Sequence, residues 1–213
     1  MRMEMRLLLA FGTFLGGVSA SLGYAQTPPA NSHCQASEVT FFSSRMGTSV
    51  WNDARTKKRL KGDKILSLCV DKFPAAKQLI VRFGKPGALD LDTSRAPLRY
   101  QLSSQIISQD LSWTILSFEV QGLTWLVVQP EGGNARDVFL TVRREGRYLA
   151  RTEAIDESDH WVRYKKKFGK KKVREVPAGL TELPPALAVR SKVNIDPAQL
   201  EEARYAANLA LPK

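Results

Sequence analysis

Eight cations fall within twelve residues: Arg163, Lys165, Lys166, Lys167, Lys170, Lys171, Lys172 and Arg174, with no acid among them. Trp161, Tyr164 and Phe168 interleave with this run. Such a segment attracts anions, and its rings can stack on bases or sit at a lipid interface. Most charge runs are solvated surface, and Phe168-Gly169 between two lysine triplets also reads as the tip of a hairpin with solvated arms. General-base chemistry usually rests on histidine, and the chain has two, His33 and His160. His33 adjoins Cys34, and His160 closes the run Asp156-x-x-Asp159-His160. That trio has metal-ligand types but matches no metal-motif spacing, so it reads as an acidic, polar loop. The sequence contains no G-x-S-x-G elbow, no H-E-x-x-H and no G-x-x-x-x-G-K-[ST] phosphate loop. Paired-carboxylate glycosidase chemistry leaves no mark in spacing, because the fold brings such pairs together. No catalytic residue, metal site or cofactor is assigned.

The two cysteines, Cys34 and Cys69, are read as a disulfide, since an even pair in an exported chain is oxidised. Neither belongs to a C-x-x-C redox arrangement. Export is expected from the start of the chain. Arg2 and Arg6 precede the apolar run Leu7–Leu15, and small residues follow. Two A-x-A-like cleavage sites are present, after Ala20 and after Ala25, and the second is preferred because Thr27-Pro28-Pro29 reads as an extended start. The apolar run is shorter than the roughly 20 residues a membrane helix needs, so no membrane span is expected. The expected location is periplasmic or secreted, after cleavage.

Without residues 1–25, the net charge falls only from +11 to +10, because that stretch holds two arginines and one glutamate. The basic run carries +8 of this, so the high isoelectric point is a local feature.

The elements that would position these residues are mostly strands. Val39–Ser44, Ile65–Val70 around Cys69, and Leu79–Phe83 are β-branched and aromatic. Arg45–Asp63 is polar and basic and reads as a long loop or a ragged hairpin. Lys85-Pro86-Gly87 makes a turn, and Leu89 and Leu91 alternate with Asp90 and Asp92 as a half-buried strand. Arg99–Leu102 is a further candidate strand. Ser112–Gln129 holds two apolar runs joined at Gln121-Gly122, a β-hairpin signature. Val138, Leu140 and Val142 alternate before the turn Glu145-Gly146, giving a second hairpin. Near the C-terminus, Asp196 is an N-cap with Pro197 at the first helical position, and a helix is expected from about Pro197 to Ala210. The expected fold is mainly β, an antiparallel barrel or sandwich with a C-terminal helix. Its expected parts are a signal peptide at 1–25, a β domain at 26–152, and a charged, Pro-containing segment at 153–213.

The stretch Lys64-Ile65-Leu66-Ser67-Leu68-Cys69, then Val81-Arg82-Phe83-Gly84-Lys85-Pro86-Gly87, then Leu89-Asp90-Leu91 resembles the shared region of a family of uncharacterised exported proteobacterial proteins. That region reads roughly K-x-x-S-x-C, Y-R-F-G-x-P-G and E-L. This chain has Val81 in place of Tyr, Asp90 in place of Glu, and Ser43 or Ser44 in place of an upstream Cys. The resemblance implies a small exported β domain and brings no established activity. Arg82 itself reads as an exposed or paired strand arginine, with anion binding near the Gly84–Gly87 turn as the functional alternative.

These observations lead to the expectation of a non-enzymatic exported protein that binds a periplasmic or secreted protein or an anionic envelope component. An inhibitor or immunity protein against a cell-wall hydrolase is one concrete version. The alternatives are a module that binds anionic lipid, lipopolysaccharide or cell-wall polymer through the basic run, and an uncharacterised hydrolase. The positive charge favours an acidic partner, and nucleic acid is not an expected one.

Overall fold

A computed structural model describes residues 31–51, 57–71, 78–132, 138–155, 161, 163–168, 172–177, 179–183, 188–189 and 195–205. The expected signal peptide, and with it both candidate cleavage sites, lies outside the described residues. Strands dominate: β1 (Glu38–Trp51), β2 (Lys57–Asp71), β3 (Leu79–Lys85), β4 (Ala88–Asp92), β5 (Tyr100–Ser108), β6 (Leu111–Val120), β7 (Leu123–Gly132), β8 (Phe139–Arg144) and β9 (Arg147–Ala154). Four shorter strands follow: β10 (Arg163–Phe168), β11 (Lys172–Pro177), β12 (Ala188–Val189) and β13 (Arg204–Tyr205).

Strands β1 to β9 form one antiparallel sheet in the order β5-β6-β7-β8-β9-β1-β2-β3-β4. Two meanders, β1–β4 and β5–β9, are joined where β9 pairs with β1 at Met46–Gly47. The short strands β12 and β13 add in parallel to β5 and β9. The mainly β expectation holds, but of the expected barrel or sandwich a closed barrel is not formed, because β4 and β5 do not pair with each other among the described residues. The sheet nevertheless curls over a common core. Phe42, Leu66, Phe83, Tyr100, Leu116, Trp125 and Leu140 belong to one buried cluster drawn from seven strands. Phe83 of β3 meets Trp125 of β7 edge-on at 6.1 Å between ring centroids.

The other face of the sheet is covered in two places, which explains runs that are apolar without alternation. In β3, Leu79, Val81 and Phe83 face the main core, while Ile80 packs with Cys34 and Cys69. In β6 and β7, Trp113, Ile115, Leu126 and Val128 form a second cluster with Ile195 and Leu200 of the C-terminal segment. Beyond Thr152, Trp161, Leu180 and Leu183 also lie in the main core.

Of the two readings of Arg45–Asp63, a long loop or a ragged hairpin, the described residues agree with the second, with β1 and β2 paired antiparallel from Glu38↔Asp71 to Trp51↔Lys57; the readings of β4 and of the C-terminal helix are corrected. Register shifts between Thr40 and Phe42 and between Arg45 and Gly47 break the alternation that sequence reading relies on. In β4 only Leu91 is buried, and Leu89 is 40 % exposed. A bulge between Phe83 and Gly84 causes this by shifting the β3–β4 register. Gly84 sits there at φ +153°, and a Cβ would lie 2.6 Å from the Ala88 carbonyl oxygen. The C-terminal helix, α1, is short and runs Pro197–Glu202. Asp196 caps it as expected, its Oδ1 accepting from the Ala198 amide at 2.9 Å. Ala203 then turns extended, and Arg204–Tyr205 pairs with Ala150–Arg151 of β9. Among the described residues no helix is long and apolar enough to cross a membrane.

Candidate functional site

Three arrangements carry the chemistry. The first is a buried clasp beside the disulfide. Cys34 and Cys69 are bonded, 35 residues apart, with their Cα atoms 5.5 Å from each other. The bond ties the segment before β1 to the C-terminal end of β2. Beside it, Arg82 of β3 donates from Nη1 to Glu38 Oε2 at 2.6 Å and from Nη2 to Glu38 Oε1 at 2.9 Å. Both side chains are 3 % exposed. Arg82 also donates to the His33 carbonyl at 3.2 Å and approaches Asp92 Oδ1 through Nε at 3.3 Å. The Glu38 hydrogen bonds raise the Arg82 pKa most, against the cost of burial. Burial, the largest single effect, opposes ionisation of Asp92. The Ser94 amide and side chain together with the Arg82 charge outweigh it and hold the carboxyl below its ordinary value.

This clasp is committed to structure. Arg82 cannot meet an external anion, because its guanidinium is buried and bonded to Glu38, so the anion-binding alternative for it is corrected. The sulfurs of Cys34 and Cys69 and a Glu38 oxygen lie within 4.8 Å of one another. They are metal-ligand types, but the sulfurs are bonded to each other and the carboxylate to Arg82. The serines nearby offer no nucleophile to a substrate. Ser43 and Ser67 are fully buried. Ser67 accepts from the His33 backbone amide at 3.0 Å and lies 2.9 Å from Ser43, which donates to the Asn31 carbonyl at 2.7 Å. The His33 ring meets neither hydroxyl; its Nε2 lies 3.0 Å from the Gly84 carbonyl oxygen and donates to it.

The second arrangement is a cleft of about 690 Å³ at one end of the β5–β8 strands, walled by the β4–β5 connection. Its floor includes Leu98, Tyr100 and Phe118, each at most 6 % exposed. Arg95, Arg99 and Arg143 line it. Burial raises the Tyr100 pKa, so its phenol stays neutral well into the alkaline range. Sequence reading missed this site. Its residues come from five strands and a connection, and the one local signal was the pair Arg95 and Arg99 flanking Pro97.

The third is the basic run. Arg163–Phe168 and Lys172–Pro177 pair antiparallel as β10 and β11, a two-stranded sheet separate from the main one. The register sets Lys165 opposite Glu175, Lys166 opposite Arg174 and Phe168 opposite Lys172. Positions Tyr164, Lys166 and Phe168 share one face of the pair with Lys172, Arg174 and Val176. Trp161, expected to meet a partner, is corrected to a core residue. It is 9 % exposed and packs on Phe42 at 4.5 Å and Phe41 at 5.8 Å between ring centroids. It stands two residues before the first residue of β10. Lys170 and Lys171, like Asp156, Asp159 and His160, lie outside the described residues. No family model, curated protein or solved structure matches this chain.

Proposed function

We propose that this chain is an exported, non-enzymatic binding module that attaches to an anionic component of the cell envelope through the β10–β11 hairpin. One observation carries the reading: the cation-rich run pairs with itself instead of joining the main sheet. Like charges directly opposite each other destabilise a strand pair, and Lys166 stands opposite Arg174 with no acid at either position. A layer of anionic groups would relieve that repulsion, whereas water and salt only screen it. The aromatic positions Tyr164 and Phe168 on the same face suit a lipid interface, where rings and cations work together. The Cys34–Cys69 bond supports an oxidising compartment, in keeping with the signal-like start of the chain. The β sheet, with its stapled clasp, is then the scaffold that holds the hairpin.

The test is retention of the mature chain on its own envelope fraction, eluted with a salt gradient. Release of the protein with anionic lipid or polymer at low salt supports the reading. A single partner protein retained to high salt overturns it and favours the protein-binding alternative.

A further inference from the structure

We infer that the cleft beside the β4–β5 connection binds a single-chain amphiphile with an anionic head, a site distinct from the basic hairpin and independent of it. The argument starts from the floor. Leu98, Tyr100 and Phe118 are buried residues of the main core whose surfaces also line the cleft. Apolar groups there receive a ligand chain without rearranging the sheet. The volume of about 690 Å³ lies inside the range of roughly 300–1,000 Å³ that small-molecule sites occupy. Such sites combine an apolar lining with a few charged groups that fix orientation.

The charges select the head group. Arg95 and Arg99 stand on the connection, and Arg143 reaches in from β8. Two carboxylates also line the cleft, Asp92 and Glu119. Asp92 faces away in its chemistry, since it accepts from Arg82 and from the Ser94 amide. Glu119 alone then opposes three guanidiniums, so the cleft favours an anion. Guanidinium groups bind carboxylate and phosphate through paired N–H donors, so the head is either of these two. Arg143 also lies 6.0 Å from the centre of the Tyr148 ring, a contact that limits its freedom.

The experiment is calorimetric titration of the mature protein with dodecanoate, dodecyl phosphate and the uncharged dodecyl maltoside, each below its micelle concentration. The expected result is saturable binding of one or both anions and at least tenfold weaker binding of the maltoside. The variant R95Q/R99Q alters two exposed side chains and loses tenfold or more in affinity for the anions. T124W, which fills the cleft mouth, loses them altogether. A variant with Gln at Lys165, Lys166, Lys167, Lys170, Lys171 and Lys172 keeps dodecanoate binding, which separates this site from the hairpin. The inference fails if neither anion binds, if the maltoside binds as tightly, if R95Q/R99Q binds unchanged, or if the hairpin variant abolishes binding. A preference between dodecanoate and dodecyl phosphate assigns the head group as carboxylate or phosphate.

Discussion

Arg82 grips Glu38 with both terminal nitrogens, at 2.6 and 2.9 Å, deep between β3 and the first residue of β1. A charge pair this buried is costly to break from one side, because the remaining partner is left unneutralised. Glu38→Gln or Arg82→Met alone should lower unfolding free energy by about 3–5 kcal/mol in urea titrations. The double variant E38M/R82M should lose less than the sum of the two. Additive losses would show that the two residues act separately.

The Cys34–Cys69 bond closes a loop that contains Glu38, so covalent and ionic ties act on one segment. Cys34→Ser with Cys69→Ser should cost roughly 3–4 kcal/mol on the chain-entropy account. Mass spectrometry of the protein from its native source, without reductant, should find the two cysteines joined. Free thiols in the native protein would contradict this.

Acid should weaken the fold. The Asp92 carboxyl is held below its ordinary value, as is that of Asp63, which Lys85 pairs with first of all. A depressed carboxylate contributes stability above its unfolded pKa, near 4, which is lost as pH falls through the folded value. Melting temperature should therefore drop from about pH 5 to about pH 3, and less steeply in Asp92→Asn. At the other end, Tyr100 is held neutral by burial. Its contribution is complete below about pH 10 and lost above it, so Tyr100→Phe should flatten the alkaline decline.

Gln105 of β5 holds the C-terminal segment in place. Its amide accepts from the Ile195 backbone N–H and donates to the Ile195 carbonyl, both at 2.8 Å. Gln105→Ala should leave the main sheet folded while hydrogen exchange across residues 195–205 speeds up. Unchanged protection there would mean that Leu200, packed on Trp113 and its neighbours, suffices alone.

The hairpins of β6–β7 and β8–β9 were legible because their turns, Gln121-Gly122 and Glu145-Gly146, carry the local chemistry of tight reversals. At both, a non-glycine and a glycine take positive φ. The Asp196 cap and the cysteine pair were legible for similar reasons: short-range geometry in one case, arithmetic in the other. What escaped depends on distant packing. The bulges in β1 shift the phase of burial, so that Phe41 and Phe42 are both buried. Arg82 read as an exposed or paired strand arginine, and the choice between the two stayed open because its partner lies 44 positions earlier. The cleft escaped because Arg95 and Arg143 are distant in sequence and line one cleft only in the folded sheet.

The most direct test of the proposed function is binding of the mature chain to vesicles of neutral lipid with and without anionic lipid, measured by co-sedimentation across a salt series. The account predicts binding only to anionic vesicles and steep loss with rising salt. Replacing Lys165, Lys166, Lys167, Lys170, Lys171 and Lys172 by Gln should reduce that binding by about ten-thousandfold at low salt, at roughly 1 kcal/mol per cation near the surface. Equal binding to neutral vesicles, or undiminished binding by the glutamine variant, would contradict it.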